Sequence, residues 1–407
     1  GRKPDAVLHA PGRIEVLGKH TDYGGGRSLL CATEQGIAFA AAARSDRVIR
    51  ITDAASGESA TFPASAEVEP ASGHWSNYPM TVARRLARDF PATRLGADVA
   101  FVSDLPPAAG VSSSGALVVG FFTALAATNH LEQDPAYERY LNTAERRAGY
   151  LGAVENGRAF GPFRADRGVG TEGGSQDQTA ILCSRPGKLV QYGWLPVKFE
   201  QSIDFPEELI FAIGVSGVHA EKTGPALEQY NALSRITARL LTIWREATGV
   251  DDRSLGAALA STPDATDRLA ALVRAQGSPD RLLARLQQFH REASEIIPGA
   301  VDALVRRDYA ALGKWVTESM AEAEAGLENQ VDETRLLVRS ALDLGAVAGS
   351  AFGAGFGGSV WALVRRDDVA AFLEQWERRY STAFPTRGGS SRFVATAPSP
   401  PLIELTP

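Results

Sequence analysis

The chain is poor in cysteine. Its 407 residues include only Cys31 and Cys183, and both lie in apolar surroundings that suit buried thiols. Two cysteines so far apart give no disulfide framework of the kind that small secreted domains need. A buried core must therefore stabilise the fold, and a chain of this length suggests about two domains.

Long apolar segments and an excess of positive charge are also missing. The strongest apolar run, Leu117 to Ala127, is too short to cross a bilayer, and no such run stands at the N-terminus. The 42 Lys and Arg residues against 48 Asp and Glu residues give a formal net charge of −6, which disfavours a nucleic-acid surface. We therefore expect a cytoplasmic protein without nucleic-acid or membrane partners, and we also expect it to be a monomer.

What the sequence does have is a polar segment where a strand ends. Residues 12–26 read GRIEVLGKHTDYGGG, and their first half has the apolar positions of a short buried strand. The glycines after Tyr23 allow the backbone to come close to a ligand, with φ above zero. This pattern predicts a small-molecule site at the strand's end, and a solvated turn with scattered charges is the alternative.

A second polar loop precedes a predicted helix. Residues 105–117 read LPPAAGVSSSGAL and lie between an alternating stretch at 97–102 and the apolar run, which predicts strand, loop and helix. Serine hydroxyls and the free N–H groups of a helix start favour anions, so the loop suits a chain of phosphates. Simple N-capping by the serines is the alternative. Neither Gly-x-x-x-x-Gly-Lys-Ser/Thr nor Gly-x-Gly-x-x-Gly occurs in this loop, which disfavours the P-loop and dinucleotide-binding folds.

A third, glycine-rich segment reads GAGFGGS over residues 353–359 and leads into the β-like run Val360 to Val364. Strand-like and helical segments alternate up to a plausible boundary at residues 193–196, and a strand at 209–215 opens the second half. Helices are predicted there at 227–248, 280–295, 300–311 and 333–344.

These three segments, in this order and at these distances, resemble the three motifs of the GHMP kinases. The sequence His20-Thr21-Asp22-Tyr23 is similar to the galactokinase signature within that superfamily, and residues 173–178, GGSQDQ, resemble the galactokinase segment that carries the catalytic aspartate. The resemblance implies a mixed α/β (α+β) fold of two GHMP kinase domains, at 1–195 and 196–407, with the active site in the cleft between them.

The resemblance also implies phosphoryl transfer from ATP to the anomeric hydroxyl of a hexose. Asp177 would take or orient the proton of that hydroxyl, and Arg13 would pair with Asp177 and stabilise the transferring phosphoryl group. A purely structural Asp–Arg pair is the alternative. The residues expected to bind the sugar are Lys19, His20, Asp22, Gly174 and Tyr230.

ATP and Mg²⁺ are the implied cosubstrate and cofactor. The residues expected to contact ATP are Pro107, Gly110, Val111, Ser112, Ser113, Ser114, Gly115, Gly355 and Gly357. Mg²⁺ prefers oxygen ligands, and Ser114 or Ser113 would supply one of them. The family places a second ligand, a Glu often followed by Asn, shortly before the catalytic Asp. Glu155 is the best match, with Glu145 and Glu172 as rivals. Its interval of 22 residues to Asp177 is longer than usual and implies an insertion at 157–168.

Departures from the galactokinase pattern leave the sugar open. Position 19 is Lys where galactokinases place a Glu that accepts from the hydroxyl on the sixth carbon of the hexose. Lys19 could instead bind the carboxylate of a uronic acid, or it could turn to solvent or pair with Glu15 or Glu172 and leave galactose acceptable. Gly24 and Gly173 replace larger family residues and predict a roomier pocket wall.

Two other functions remain as alternatives. Some galactokinase-like proteins are sensors that bind sugar without catalysis, but the serine loop, Arg13 and Asp177 are all present here. A GHMP kinase for a mevalonate-like or heptose substrate is the other alternative, and the sequence 20–23 argues against it. Galactose remains the first choice.

Overall fold

The computed structural model describes residues 3–71, 73–106, 110–218, 224–277 and 279–405. The fold is mixed α/β, with two sheets that are each covered by helices. In chain order the strands are β1 (Ala6–Leu17), β2 (Arg27–Ala43), β3 (Val48–Asp53), β4 (Ser59–Pro63), β5 (Ala97–Ser103), β6 (Lys188–Gly193), β7 (Lys198–Asp204), β8 (Leu209–Val215), β9 (Ala348–Phe352), β10 (Ser359–Arg365), β11 (Arg392–Thr396) and β12 (Ile403–Leu405).

Helices are fewer in the first half of the chain than in the second. In chain order they are α1 (Asn77–Asp89), α2 (Ser113–Thr128), α3 (Pro135–Tyr140), α4 (Ala144–Glu155), α5 (Gln176–Cys183), α6 (Gly224–Thr248), α7 (Leu255–Leu259), α8 (Ala265–Arg274), α9 (Asp280–Arg291), α10 (Ile297–Val305), α11 (Tyr309–Leu327), α12 (Asp332–Asp343) and α13 (Val369–Ala383). None of these described helices is long and apolar enough to cross a membrane.

The first sheet has the order β12-β1-β2-β5-β3-β4, and the hairpin of β6 and β7 extends it beside the start of β2. The second sheet has the order β11-β8-β10-β9 and is antiparallel throughout. The domain boundary predicted at residues 195 and 196 falls inside the hairpin of β6 and β7. The first sheet therefore continues to Asp204, and β8 opens the second sheet.

Helix α2 is buried on all sides against β1 and β2, as its almost wholly apolar sequence predicts. Gly120 makes this close packing possible, because a Cβ there would lie 2.1 Å from the ring of Phe39 on β2. The packing fixes the start of α2 beside the end of β1. Both predicted polar segments therefore meet at one place.

One predicted helix is wrong. Residues 300–311 are divided between α10 and α11, because Arg307 has a positive φ of 55° and Asp308 caps the second helix by accepting from the N–H of Ala311. The helix predicted at 280–295 is α9 followed by a π-helical turn at Glu292–Ile296. The strand predicted at 209–215 is confirmed as β8.

Candidate functional site

The three polar segments converge in the structure. We name them the signature turn (residues 18–26), the serine loop (residues 110–115) and the glycine turn (residues 353–358). Arg13, on β1, donates from Nη1 to the carbonyl oxygen of Gly110 at 2.5 Å. His20 is hydrogen bonded through Nε2 to the carbonyl oxygen of Ala354 at 3.0 Å. Three segments far apart in sequence thus lie close together.

A cavity at this convergence is lined by both halves of the chain. Its lining residues are Arg13, Glu15, His20, Asp22, Tyr23, Glu155, Asn156, Thr171, Gly173, Gly174, Gln176, Asp177, Gln178, Tyr230, Gly353 and Ala354. Carboxylates outnumber cations in this lining. The cavity therefore favours hydrogen-bond donors and disfavours an additional carboxylate.

Arg13 and Asp177 form an ion pair at the centre of the convergence. Nε of Arg13 donates to Oδ1 of Asp177 at 2.8 Å, Nη2 lies 2.8 Å from the same oxygen, and the two side chains are only 5% and 13% exposed. Gly115 lies against this pair, because a Cβ there would be 3.1 Å from the Cβ of Asp177. The start of α2 therefore packs against the side chain of Asp177.

Asp22 lies at another wall of the cavity and is held by backbone donors. Its Oδ1 accepts from the N–H of Tyr23 at 2.9 Å and its Oδ2 from the N–H of Gln176 at 3.2 Å. A Cβ at Gly174 would be 2.3 Å from Oδ2, so only glycine fits there. Burial raises the pKa of Asp22, and the charge of Asp177 raises it further.

His20 lines the cavity, but both of its ring nitrogens are bonded to the protein. Since a carbonyl oxygen can only accept, Nε2 carries the proton that is donated to Ala354. Nδ1 then accepts from the hydroxyl of Tyr23 at 2.9 Å. The ring therefore links the signature turn to the glycine turn, and any contact with a sugar would be made by its face or edge.

The prediction of a roomier wall is wrong at both glycines. A Cβ at Gly24 would lie 2.6 Å from the ring of Phe289, and a Cβ at Gly173 would lie 2.5 Å from the hydroxyl of Tyr230. Side chains from α9 and α6 thus fill the space that the missing side chains leave. Tyr230 itself lines the cavity.

Lys19 does not line the cavity, and its prediction as a sugar-binding residue is corrected here. Its side chain is 1% exposed, and Nζ donates to Oγ of Ser319 on α11 at 3.1 Å. Ser319 in turn donates to Oε1 of Glu292 at 3.0 Å, and the same oxygen accepts from the N–H of Gly18 at 2.7 Å. The ammonium therefore belongs to a buried network behind the signature turn.

Glu15 is a cavity residue that the sequence analysis missed. It is two positions from Arg13 on β1, so the two side chains share a face of the strand. Its side chain is 2% exposed, and its Oε2 accepts from Nε2 of Gln176 at 2.5 Å. Burial raises the pKa of Glu15 to about 7 against the opposing effect of Lys19 and Arg13. A charged residue inside an apolar strand was the signal that could have identified it.

The raised pKa of Glu15 predicts a pH-dependent stability. Between its usual value of 4.5 and about 7, the folded protein keeps a proton that the unfolded chain releases, so stability falls as pH rises. We expect the free energy of unfolding of the wild type, relative to Glu15→Gln, to fall by about 3 kcal/mol across this window. Urea unfolding of both proteins at pH 5, 6 and 7.5 measures this, and a difference that stays constant with pH would contradict it.

The serine loop does not use its hydroxyls as helix caps. Ser112 stands at the N-cap of α2 with a φ of +65° and no side-chain capping bond, which overturns the capping alternative. The buried hydroxyls of Ser112 and Ser113 have no hydrogen-bond partner among the residues that the structure describes. Unsatisfied buried donors at a helix start fit an anion such as phosphate. The predicted ATP residue Pro107 lies outside the described residues.

The glycine turn contributes two residues to the cavity lining. Gly353 and Ala354 line the cavity, whereas Gly355 and Gly357 do not. A Cβ at Gly355 would meet Asn329 at 2.4 Å, and one at Gly357 would meet Val218 at 2.8 Å. Both have positive φ, of 79° and 125°, so they shape the turn and pack against the second half of the chain.

Of the three acids considered for Mg²⁺, only Glu155 lines the cavity. It ends α4, is 4% exposed and accepts from Nε2 of Gln178 at 2.5 Å. Glu145 lies at the opposite end of α4, and Glu172 is 3.3 Å from Arg235 with a side chain 42% exposed.

Asn156 explains how Glu155 reaches Asp177 across the long interval. Its Nδ2 donates to the carbonyl oxygen of Gly174 at 3.0 Å, and its Oδ1 accepts from the N–H of Gly173 at 2.6 Å. These bonds fold the intervening loop back onto the end of α4. No group of three or more His, Cys, Asp or Glu side chains that could hold a metal ion occurs within the described ranges.

Three family models match the chain. The galactokinase galactose-binding signature matches residues 1–43, the GHMP kinases N terminal domain matches residues 77–156, and the GHMP kinases C terminal model matches residues 300–382. The first range contains the signature turn and β2, the second contains the serine loop and Glu155, and the third contains the glycine turn. Each match therefore includes part of the convergence described above.

Individual relatives agree with the family models. The galactokinase of Roseiflexus sp. (strain RS-1) is 27% identical over 384 residues, which cover 94% of this chain and 89% of that protein. The galactokinase of Actinobacillus pleuropneumoniae serotype 5b (strain L20) is 36% identical over 113 residues, or 28% of this chain and 29% of that protein. The crystal structure of Lactococcus lactis galactokinase complexed with galactose has a TM-score of 0.79 at 22% identity and covers 98% of this chain and 95% of that one.

Proposed function

Because the chain belongs to the GHMP kinase superfamily and is a galactokinase-like sugar kinase, we propose that it transfers the γ-phosphoryl group of ATP to the anomeric hydroxyl of galactose. The observation that carries this proposal is the Arg13–Asp177 pair, which joins the cavity to the serine loop. A hydroxyl in the cavity and a phosphate at the loop would meet at this pair.

Asp177 has the role of the base in this proposal. It orients the sugar hydroxyl and accepts its proton as the oxygen attacks phosphorus, and ADP leaves with the electrons of the broken P–O bond. Arg13 already bonds Asp177 and the serine loop, so its guanidinium is positioned to stabilise the charge that develops on the transferring group. Little else is required of the protein beyond orientation, because phosphoryl transfer depends mainly on positioning and electrostatics.

The serine loop is the proposed phosphate site. The unsatisfied hydroxyls of Ser112 and Ser113 and the first N–H groups of α2 would bind phosphate oxygens. Ser114 and Glu155 would hold Mg²⁺, which neutralises charge on those oxygens when it is bound.

The sugar would occupy the cavity. Asp22 is held in place by two backbone donors and keeps lone pairs for sugar hydroxyls. Gly174 allows the sugar and Asp22 to come close, while Tyr230 and the His20 ring form a wall with their centroids 5.4 Å apart. Glu15, Asp22 and Asp177 would all face a bound sugar, and their carboxylates disfavour a uronic acid. Lys19, which suggested a uronic acid in the sequence, is turned away from the cavity.

A panel of sugars tests the proposal. With Mg-ATP, we expect galactose to give the highest kcat/KM among galactose, glucose, arabinose, galacturonate and glucuronate. Galacturonate should be poorer by about a hundredfold or more, since a like charge in the site costs several kcal/mol. ADP release with each sugar is the measurement, and Asp177→Asn gives the background of sugar-independent ATP hydrolysis.

The panel separates the alternatives. Preference for galacturonate would contradict the electrostatic argument and return Lys19 to the site. Binding of galactose without ADP release from any sugar would favour a sensor.

A further inference from the structure

Glu15 is a buried acid of the cavity that the proposed phosphoryl transfer does not use. Its side chain is 2% exposed and contributes to the cavity lining. Its Oε2 is bound by Gln176, but its Oε1 has no hydrogen-bond partner among the residues that the structure describes. A buried carboxylate oxygen without a donor costs free energy, so it calls for a ligand that supplies one.

The orientation of this carboxylate is fixed by its neighbours. Oγ of Ser28 donates to Oε1 of Gln176 at 2.7 Å, and Ser28 itself accepts from Nε1 of Trp194 at 3.1 Å. Gln176 must therefore turn its amide nitrogen toward Glu15. Because Oε2 is occupied in this way, Oε1 is the oxygen that is left for a ligand.

The neighbouring cations do not supply the missing donor. Arg13 is bonded to Asp177 and to Gly110, and Nζ of Lys19 donates to Ser319. Both reduce the electrostatic cost of the Glu15 charge from a distance, but neither makes a hydrogen bond to Oε1 in the described structure. The donor must come from a molecule in the cavity.

We propose that Glu15 is a specificity-determining residue of the sugar site, whose Oε1 accepts a hydrogen bond from one hydroxyl of the bound sugar. This inference rests on the proposed function, because it assigns the cavity to the sugar. The substrate class is then a neutral sugar with a hydroxyl facing Glu15. A sugar that lacks this hydroxyl, or that has a carboxylate in its place, is rejected because Oε1 would be left unpaired or beside a like charge.

Monodeoxy sugars test this inference. We would measure kcat/KM for galactose and for its 2-, 3-, 4- and 6-deoxy analogues with the wild type, Glu15→Gln and Glu292→Gln. In Glu15→Gln the amide oxygen faces Gln176, so an NH₂ group replaces Oε1 toward the cavity and the charge is lost. Glu292→Gln is the matched control, because Glu292 is an equally buried acid of the adjoining Lys19 network that does not line the cavity.

We expect one deoxy analogue to lose about tenfold to a hundredfold in kcat/KM with the wild type, the usual effect of removing a hydrogen bond to a charged group. The same analogue should lose markedly less with Glu15→Gln, whereas Glu292→Gln should keep the wild-type pattern even if its activity is lower. Equal losses in the wild type and Glu15→Gln for every analogue would overturn the inference and indicate that a water molecule satisfies Oε1.

Two further measurements keep the test decisive. Circular dichroism reports whether Glu15→Gln folds. If that variant does not fold, Glu15→Asp is used in its place, because it keeps the charge but withdraws it by one methylene. If the wild type phosphorylates no sugar, the proposed function fails, and calorimetric binding of the same sugars still tests Glu15. If one deoxy analogue binds the wild type more weakly than galactose does, and Glu15→Gln reduces that difference, the inference is supported. If the difference is the same in Glu15→Gln, the inference is rejected.

Discussion

Replacing Asp177 with Asn is expected to lower kcat by about 10²- to 10⁴-fold, the usual contribution of a general base. Asn keeps the shape of the side chain and an oxygen that can accept from Nε of Arg13, which now donates to Oδ1 at 2.8 Å. The fold and the KM for the sugar should therefore change little, because the lost interaction acts mainly in the transition state.

Steady-state kinetics with the best sugar, together with thermal unfolding, measure this effect. Asp204→Asn, at a carboxylate that is 86% exposed, is the matched control and should keep full activity. A kcat for Asp177→Asn within about threefold of the wild type would leave Arg13 and Asp177 as a structural pair only, since a base contributes far more than that.

Replacing Lys19 with Met is expected to cost about 3–5 kcal/mol in the free energy of unfolding, as for other buried charges that lose their partner. The ammonium is 1% exposed and lies in the same network as Glu292, while its charge also favours the ionised form of Glu15. Its removal takes the ammonium out of the Glu292 network and leaves Arg13 as the remaining cation that favours the ionised form of Glu15.

Urea unfolding measures this loss, and Lys188→Met is the matched control. Lys188 pairs with Asp204 at the surface, where the two side chains are 38% and 86% exposed, so its replacement should change stability by less than about 1 kcal/mol. The sugar preference of folded Lys19→Met should match that of the wild type. Unchanged stability with a new preference among the sugars would show that Lys19 contacts the substrate after all.

The orientation of the Lys19 side chain could not be predicted from the sequence. On β1 the alternation of side chains puts Arg13 and Glu15 on the same face. Beyond Leu17 the chain leaves the strand, with φ of +108° at Gly18 and +56° at His20. The two-residue period therefore no longer applies, and Lys19 turns away from the cavity.

Local patterns predicted the strand, loop and helix around the serine loop, and the family resemblance brought Arg13 and Asp177 together. The walls of the cavity could not be predicted in this way. Phe289 and Tyr230 fill the space beside Gly24 and Gly173, and both come from helices of the second half of the chain. Such long-range contacts leave no periodic signal in the sequence.

The choice among three acids for Mg²⁺ was open in the sequence for a similar reason. The interval from Glu155 to Asp177 suggested an insertion, but only the side-chain bonds of Asn156 to Gly173 and Gly174 bring the two ends together. Spacing alone could not show that the loop folds back.

Identification of the product tests the central claim most directly. The wild type would be incubated with galactose and Mg-ATP, and the product examined by ³¹P and ¹H nuclear magnetic resonance, with Asp177→Asn in parallel. We expect ADP and galactose 1-phosphate in equal amounts, with coupling between phosphorus and the anomeric proton, and no product from the variant over the same time. Phosphate on another carbon, or no product while galactose binds, would contradict the proposed sugar 1-kinase.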